Sequence, residues 1–216
     1  MNPTPDDLVE TLLAEGIRDA RLLEAFRTVP REGFVPAELA AQAYLDWPLP
    51  IPHGQVTTQP SLSARMVEAL ALEGSEKVLE VGTGYGFQTA LLACLAGFVW
   101  SVERWPDLAE AARANLARQG LANVEVVVGD GTEGLAEHAP FQTVVVSAAF
   151  PEVPRPLVEQ LAPGGRLVQP IGPGGNEVVE LFEKGVRGLE RRRRIVGAHF
   201  VRLYGTHGFP LPRSGA

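Results

Sequence analysis

The chain has 216 residues, 45% of them hydrophobic, and a formal net charge of −7. This length and apolar content suffice for one sizeable core, so we expect a single domain (1–216), and the acidic balance excludes a global attraction to nucleic acid or to an anionic membrane. The one cysteine, Cys94, cannot form an internal disulfide and no apolar run reaches the roughly 18 residues of a membrane span, so a cytoplasmic location is expected.

Residues 1–73 are predicted to form an N-terminal helical addition to the main unit, residues 74–216. Three helices are predicted in this addition, at residues 4–16, 19–28 and 36–44. Residues 46–59, here called the lip loop, contain three prolines and a glycine, which should forbid regular structure and hold the chain extended. A rigid loop ahead of a ligand-binding unit is suited to form the lip of a substrate site. A helix over residues 61–70 follows it.

A strand, a glycine turn and a helix are predicted over residues 78–96. The turn has three glycines at alternate positions, Gly82, Gly84 and Gly86. Because glycine has no Cβ, the turn can adopt positive φ, and a ligand can lie against its backbone at the helix N-terminus. The alternative is a simple tight turn that binds nothing.

Two residues near this turn indicate the kind of ligand. A dinucleotide fingerprint, G-x-G-x-x-G, requires a glycine where Phe87 stands. Glu80, two residues before the first glycine, is expected to place a carboxylate beside the crevice, where it would repel a diphosphate and attract an ammonium or a sulfonium. A cationic ligand is therefore favoured, and a dehydrogenase becomes a distant alternative.

Strands and helices alternate after the turn, as a doubly wound sheet requires. Further strands are predicted at residues 99–102, 124–128, 143–147 and 166–171, helices at 106–119 and 154–161, and a turn at 163–165. Residues 178–182 and 198–203 should close the sheet as an antiparallel pair around a turn at residues 191–194. The predicted fold class is α/β, with a doubly wound, mostly parallel seven-stranded sheet.

The four arginines at residues 191–194 are the one charge run of the sequence. Solvated charge at a hairpin tip is favoured over RNA binding, because no aromatic residues are interleaved to stack on bases.

Two acidic residues end predicted strands where a nucleoside could bind. Glu103 lies about 20 residues beyond the glycines, the spacing at which an acidic residue can bind ribose hydroxyls. Asp130, within G-D-G, is placed to accept a hydrogen bond from an adenine amino group, and Gly131 would let the ring approach. Both could instead be solvated strand ends.

The stretch from Glu80 to Gly86 is similar to motif I of the S-adenosylmethionine-dependent methyltransferases, E-x-G-x-G-x-G. Further stretches resemble one family of these enzymes, the protein-L-isoaspartate (D-aspartate) O-methyltransferases. They are F-V-P at residues 34–36, A-Y at 43–44, P-L-P-I at 48–51, G-Q-V-T-T-Q-P at 54–60, V-E-R at 102–104, G-D-G at 129–131, A-P-F at 139–141 and P-G-G-R-L-V at 163–168. The resemblance covers residues 31–171 and is weak after Gly172.

This resemblance implies a Rossmann-like methyltransferase that uses S-adenosyl-L-methionine and releases S-adenosyl-L-homocysteine. Its partners would be damaged proteins and peptides, methylated on the free α-carboxylate of L-isoaspartyl residues. The expected cofactor-binding residues are Gln55, Val56, Thr57, Glu80, Gly82, Thr83, Gly84, Gln88, Glu103, Arg104, Asp130 and Gly131. The expected substrate-binding residues are His53, Val56 and Thr58. Thr58 is also the expected catalytic residue, and no metal site is expected.

The lip loop departs from the family pattern, which usually reads G-Q-T-I-S-Q-P. Thr58 stands at the serine, whose hydroxyl the family assigns to the active site, and keeps that hydroxyl. Val56 stands at the threonine and removes a second hydroxyl. Thr57 could replace it only if the backbone shifted, because adjacent side chains of an extended segment point in opposite directions. Thr58 has the alternative role of a helix cap ahead of Pro60, and His53 could simply face solvent.

Three classes of function follow. The first is a repair methyltransferase acting on isoaspartyl residues. The second is a methyltransferase of the same fold with another acceptor, such as a dedicated peptide intermediate or an RNA. The third is a module that binds the cofactor or a damaged peptide without transferring a methyl group.

Overall fold

A computed structural model describes residues 2–210 of the chain. Its N-terminal part contains α1 (Pro5–Ala14), α2 (Ala20–Thr28), two 3-10 helices (Arg31–Phe34 and Ala37–Gln42), strands β1 (Leu49–Ile51) and β2 (Gln55–Thr57), and α3 (Pro60–Leu70). Thr4 and Asp7 form a reciprocal capping box at the start of α1, and Asp19 caps α2. The predicted third helix is the shorter 3-10 helix Ala37–Gln42.

The lip loop forms a β-hairpin, so the prediction that it lacks regular structure is wrong. β1 pairs with β2 in antiparallel register, with Pro50 opposite Val56. Proline lacks only the N–H donor, and alternate N–H groups of a two-stranded ribbon point away from the partner strand. His53 and Gly54 both adopt positive φ, 62° and 66°, at the tip, which is the geometry of a tight hairpin turn.

The main sheet has seven strands in the order β5-β4-β3-β6-β7-β8-β9. The strands are β3 (Lys77–Val81), β4 (Phe98–Glu103), β5 (Val124–Val128), β6 (Phe141–Val146), β7 (Leu161–Ile171), β8 (Glu177–Gly185) and β9 (Gly188–Ala198). The first five of these are parallel, and β8 and β9 are antiparallel to their neighbours. The predicted fold class, a doubly wound and mostly parallel α/β sheet of the Rossmann-like type, is confirmed.

Three further helices, α4 (Phe87–Leu95), α5 (Pro106–Arg118) and α6 (Arg155–Gln160), connect the strands. Side chains of β3 are buried on both faces of the sheet: Val78 packs in one hydrophobic cluster with α1 to α4, and Leu79 in another with Leu157 of α6. The chain leaves β3 toward β4 and later returns to the other side of β3 as β6. This reversal places a crevice at the carboxyl ends of β3, β4 and β6, where doubly wound sheets bind ligands.

Two predictions about the last three strands are wrong. β7 begins at Leu161, and the predicted turn at residues 163–165 is a bulge within it, where the register with β6 shifts. The hairpin of β8 and β9 turns between Gly185 and Gly188, not at the arginines, and residues 199–203 lie outside the named strands.

The four arginines lie on the edge strand β9. Two carboxylates on the neighbouring strand β8 pair with three of them. Arg191 and Arg194 both pair with Glu180 of β8, at 3.3 Å, and Arg192 pairs with Glu183, at 3.2 Å. Cross-strand pairs of opposite charge stabilise a ribbon of this kind. Within residues 2–210, no helix is both long and apolar enough to span a membrane.

Candidate active site

A cleft of about 1000 Å³ opens at the carboxyl ends of β3, β4 and β6. We call it the main cleft. Eleven of the residues expected to bind cofactor or substrate line it, namely Gln55, Val56, Thr57, Thr58, Gly82, Thr83, Gly84, Gln88, Glu103, Arg104 and Gly131. Three others, His53, Glu80 and Asp130, do not line it. The structure therefore brings the glycine turn, the lip loop and the end of β4 around one cavity.

Glu103 anchors the backbone of the glycine turn. The Gly84 N–H donates to Glu103 Oε2 at 2.8 Å, and the Trp105 N–H donates to Oε1 at 3.0 Å. Gly84 has a φ of 57°, and a Cβ there would lie 3.4 Å from Ile51 of the lip loop. Glycine at this position allows the positive φ that the turn requires.

Glu80 lies beneath the glycine turn rather than on the cleft wall, with no exposed surface. Its carboxylate accepts hydrogen bonds from the Thr89 hydroxyl, from the Ser101 hydroxyl at 2.6 Å and from Gln88 Nε2 at 3.1 Å. Burial raises the pKa of Glu80 to about 7, although these three hydrogen bonds work in the opposite direction. The expectation that this carboxylate stands beside the crevice is therefore wrong in position: any effect on a ligand must act through its neighbours.

Gln88 connects Glu80 to the cleft surface. Its Oε1 accepts a hydrogen bond from the Ser63 hydroxyl at 2.8 Å, and its Nε2 donates to Ser147 Oγ at 3.0 Å as well as to Glu80. Ser63, Gln88 and Ser147 all line the main cleft.

The side chains of the lip loop alternate as an extended segment requires. Val56 is 47% exposed, whereas Thr57 is buried and its hydroxyl accepts hydrogen bonds from Arg31 Nη2 at 3.0 Å and from the Leu49 N–H at 3.2 Å. Because the Thr57 hydroxyl faces Arg31, it does not take the place of the hydroxyl that Val56 lacks.

Thr58 does not cap α3. The capping position is Gln59, which makes no side-chain cap bond, and Asp46 Oδ1 accepts from the Ser61 N–H at 2.8 Å instead. The alternative that Thr58 serves only as a helix cap is thereby removed.

Arg31 fixes the lip loop from below. Its guanidinium is fully buried and donates to the carbonyls of Ala43, Leu45, Trp47 and Thr58, in addition to the Thr57 hydroxyl. Burial lowers the pKa of Arg31 to about 10, with the charge of Asp46 opposing that shift, so the side chain stays cationic at neutral pH. A single cation thus joins both ends of the lip loop.

The C-terminal segment folds over the far end of the main cleft and is held by Asp130. Asp130 Oδ2 accepts from the Thr206 N–H at 2.7 Å, and Oδ1 accepts from the N–H and hydroxyl of Thr132, at 2.9 and 2.6 Å. Partial burial alone would raise the pKa of Asp130, but these hydrogen bonds outweigh it and lower the pKa. A Cβ at Gly205 would lie 2.1 Å from Asp130 Oδ1, so only glycine permits this contact.

Tyr204 of the same segment lines the main cleft. The Arg104 guanidinium stacks near two rings, 4.8 Å from the centroid of Trp105 and 5.3 Å from that of Tyr204. Cation–π contacts of this type hold an aromatic wall in place.

His53, a predicted substrate residue, lies at the tip of the hairpin, away from the main cleft. Its ring stacks on Trp105 with centroids 3.9 Å apart, and Nε2 lies 2.8 Å from Asp107. These contacts tie the lip loop to the start of α5.

A second groove adjoins the main cleft. Both cavities are lined by the same four residues, Val56, Thr58, Ser147 and Val201. The second groove, about 1050 Å³ in volume, continues past Arg65 to the chain segment 196–201. Thr58 therefore stands where the two cavities meet.

Sequence reasoning missed Ser147 and Tyr204. Ser147 follows β6 directly and could have been predicted from that position. The carboxyl ends of strands beside the switch point bind ligands in this architecture. No local pattern marks Tyr204, since its position depends on how the tail folds back.

Comparisons with known proteins identify the family. The family model for protein-L-isoaspartate (D-aspartate) O-methyltransferases matches residues 4–208. This chain belongs to that family. It is 52% identical over 203 residues to a protein-L-isoaspartate O-methyltransferase of Anaeromyxobacter dehalogenans, covering 93% of this chain and 96% of the relative. It is 49% identical over 207 residues to that of Aeropyrum pernix, covering 94% of this chain and 80% of the relative.

Solved structures agree. A protein-L-isoaspartate O-methyltransferase superposes with a TM-score of 0.84 at 29% identity, covering 95% of this chain and 67% of the other. A Plasmodium falciparum protein described as a putative member, in complex with S-adenosyl-L-homocysteine, superposes with a TM-score of 0.78 at 24% identity, covering 94% and 99%. The second comparison concerns the fold alone.

Proposed function

We propose that this chain transfers the methyl group of S-adenosyl-L-methionine to the free α-carboxylate of L-isoaspartyl residues in damaged proteins and peptides. The observation that carries the proposal is the junction at Thr58, where a cleft at the switch point of the sheet meets a second groove. Family membership supports the same reaction. The lone cysteine supports a reducing, cytoplasmic setting.

The residues of the main cleft fit the cofactor. The glycine turn offers a backbone surface without Cβ atoms, and Glu103, also at the cleft wall, is a carboxylate that can accept from ribose hydroxyls. Gly131 and Tyr204 also line the main cleft, and Asp130 holds the segment that carries Tyr204, so we assign the adenine ring to this part of the cleft. When bound, S-adenosyl-L-methionine supplies an electrophilic methyl group on a sulfonium sulfur.

The acceptor needs no general base. An α-carboxylate has a pKa near ~3.5, so at neutral pH it is already the nucleophile. The chain must therefore position one carboxylate oxygen and exclude water, which are the effects that accelerate such a displacement. The Thr58 hydroxyl can donate to the carboxylate, and Arg31 holds the Thr58 backbone by donating to its carbonyl at 3.4 Å. The following backbone nitrogen would then attack the methyl ester carbonyl and expel methanol, closing a succinimide whose hydrolysis returns some normal aspartate.

The test is incubation with labelled S-adenosyl-L-methionine and a matched pair of isoaspartyl and aspartyl peptides. Base-labile label on the isoaspartyl peptide alone is the expected result. Label on neither peptide, with tight binding of S-adenosyl-L-homocysteine, would contradict the proposal in favour of another acceptor or of a binding module. In a parallel incubation with RNA in place of the peptides, label on the RNA would favour the methyltransferase with another acceptor.

A further inference from the structure

Ser147 occupies the junction of the two cavities from the side of the sheet. It follows β6 directly and lines both the main cleft and the second groove, as Thr58 does from the lip loop. Its N–H donates to the Val81 carbonyl of β3 at 2.8 Å, which fixes its backbone to the central strand. The junction therefore has one hydroxyl on the loop and one on the rigid sheet.

Hydrogen bonding leaves the Ser147 O–H free to donate. In the structure Gln88 Oε1 accepts from the Ser63 hydroxyl and Nε2 donates to Glu80 Oε1, the orientation that an ionised Glu80 requires. Gln88 Nε2 is then a donor to Ser147 Oγ, at 3.0 Å, so Ser147 accepts this bond. A serine hydroxyl has one proton to donate, and among residues 2–210 no acceptor receives it. That proton is available to a ligand at the junction.

We propose that Ser147 is a second acceptor-binding residue, which donates a hydrogen bond to the α-carboxylate of the isoaspartyl residue alongside Thr58. This inference rests on the proposed function. With Ser147 the carboxylate has two hydroxyl donors, Thr58 and Ser147, although Val56 of the lip loop has no hydroxyl. The Gln88 bond polarises the Ser147 hydroxyl as part of a chain of hydrogen bonds and so makes it a better donor. One donor belongs to the sheet, which limits how far the carboxylate can move with the loop.

The experiment compares Ser147→Ala with Ser147→Thr and with a control, Ser75→Ala. Alanine keeps the Cβ of Ser147 and so removes only the hydroxyl. Threonine restores the hydroxyl. Ser75 is exposed and lies before the amino end of β3, far along the strand from the carboxyl-end junction. Steady-state kinetics with an isoaspartyl peptide and calorimetry with S-adenosyl-L-homocysteine are measured on the full chain.

We expect Ser147→Ala to raise the KM for the isoaspartyl peptide about tenfold or more, the loss associated with a hydrogen bond to a charged group. The affinity for S-adenosyl-L-homocysteine should stay within about twofold, and Ser147→Thr should recover most of the lost peptide affinity. Ser75→Ala should match the unsubstituted chain. Unchanged KM in Ser147→Ala, or a loss confined to S-adenosyl-L-homocysteine affinity, would overturn the inference.

A second readout separates a contact with the carboxylate from a general disturbance. The same peptide with an α-carboxamide is tested as a competitive inhibitor beside one with the carboxylate. If Ser147 donates to the carboxylate, Ser147→Ala should lower the affinity for the carboxylate peptide more than the affinity for the carboxamide peptide. An equal loss of affinity for both peptides would overturn the inference. An unsubstituted chain that methylates no isoaspartyl peptide would refute the proposed function itself, which is a different outcome from an active chain indifferent to Ser147→Ala.

Discussion

Thr58 presents a hydroxyl to the junction of the two cavities while its carbonyl is held by Arg31. Replacing the hydroxyl with a methyl group of the same size removes a donor without opening a cavity. We expect Thr58→Val to reduce turnover of an isoaspartyl peptide by at least about tenfold, the scale of a hydrogen bond to a charged group. The affinity for S-adenosyl-L-homocysteine should stay within a few-fold. Initial rates and calorimetry measure the two effects.

Thr58→Ser is the matched control, since it keeps the hydroxyl and removes only a methyl group. It should retain most of the turnover. Turnover of Thr58→Val equal to that of Thr58→Ser would show that the hydroxyl takes no part in the reaction.

Glu80 should make the stability of the chain depend on pH. Its pKa is raised from 4.5 to about 7 by burial, with a smaller contribution of the same sign from Glu103. A carboxyl group with a raised pKa stabilises the folded state fully below its unfolded pKa, and this stabilisation is lost as the pH rises through about 7. The loss is on the order of 3 kcal/mol for this difference in pKa.

The test compares the unsubstituted chain with Glu80→Gln by denaturant unfolding between pH 4 and 8. The free energy of unfolding of the unsubstituted chain should fall, relative to that of the variant, as the pH rises through this window. All other titrating groups are common to both chains and cancel in the difference. Parallel curves would mean that folding does not shift the pKa of Glu80.

At the scale of single residues, the sequence predicted what depends on local geometry. The glycine turn follows from three glycines after a buried strand, and Glu103 from its position at the end of the next strand. The burial of Arg31 could not be predicted, because arginine is seldom fully buried. It is buried here because the carbonyls of Ala43 and Leu45 and those of Trp47 and Thr58 in the lip loop surround the guanidinium.

At the scale of elements, the lip hairpin is held to the molecule by that guanidinium. Arg31→Met removes a donor shared by four carbonyls and one hydroxyl, and leaves buried acceptors unpaired. We expect a loss of about 3 kcal/mol in the free energy of unfolding, together with a raised KM for the peptide, because Thr58 is no longer held. Denaturant unfolding and steady-state kinetics measure both.

Arg31→Lys should recover little of the lost stability or of the peptide affinity. The acceptors are arranged around the planar guanidinium, and a single ammonium group cannot reach them all. Arg155→Met is the control: its side chain is 87% exposed and its ion pair with Glu159 is solvated, so the expected change is below about 0.5 kcal/mol. Full stability and activity in Arg31→Lys would show that charge alone holds the loop.

The elements that the sequence predicted correctly are the five parallel strands and the helices between them. Continuous apolar runs bounded by glycine and proline mark buried strands, and the alternation of strand and helix determines their topology. The lip hairpin was missed because three prolines obscured a two-stranded pairing. The last hairpin was misplaced because four arginines resemble a solvated turn, whereas Glu180 and Glu183 on β8 make them compatible with a strand.

At the scale of the whole molecule, the main cleft is completed by segments far apart in the sequence. The lip loop comes from the N-terminal third, the glycine turn from the centre, and Tyr204 from the C-terminal segment. Asp130 accepts a hydrogen bond from the Thr206 N–H, although the two residues lie 76 positions apart in the chain. Contacts of this range follow from the finished fold and leave no local pattern in the sequence.

Asp130 should therefore affect cofactor binding through the tail as well as through any direct contact. In Asp130→Ala the Thr206 N–H loses its acceptor, and the segment carrying Tyr204 is no longer fastened over the cleft. We expect the affinity for S-adenosyl-L-homocysteine to fall by about 1–3 kcal/mol, the scale of a buried group left unpaired. Glu125→Ala, which removes an exposed carboxylate from the strand leading to Asp130, should leave the affinity unchanged. Calorimetry measures the affinity of both variants. Equal affinities in Asp130→Ala and Glu125→Ala would show that neither the binding of adenine nor the position of the C-terminal segment depends on Asp130.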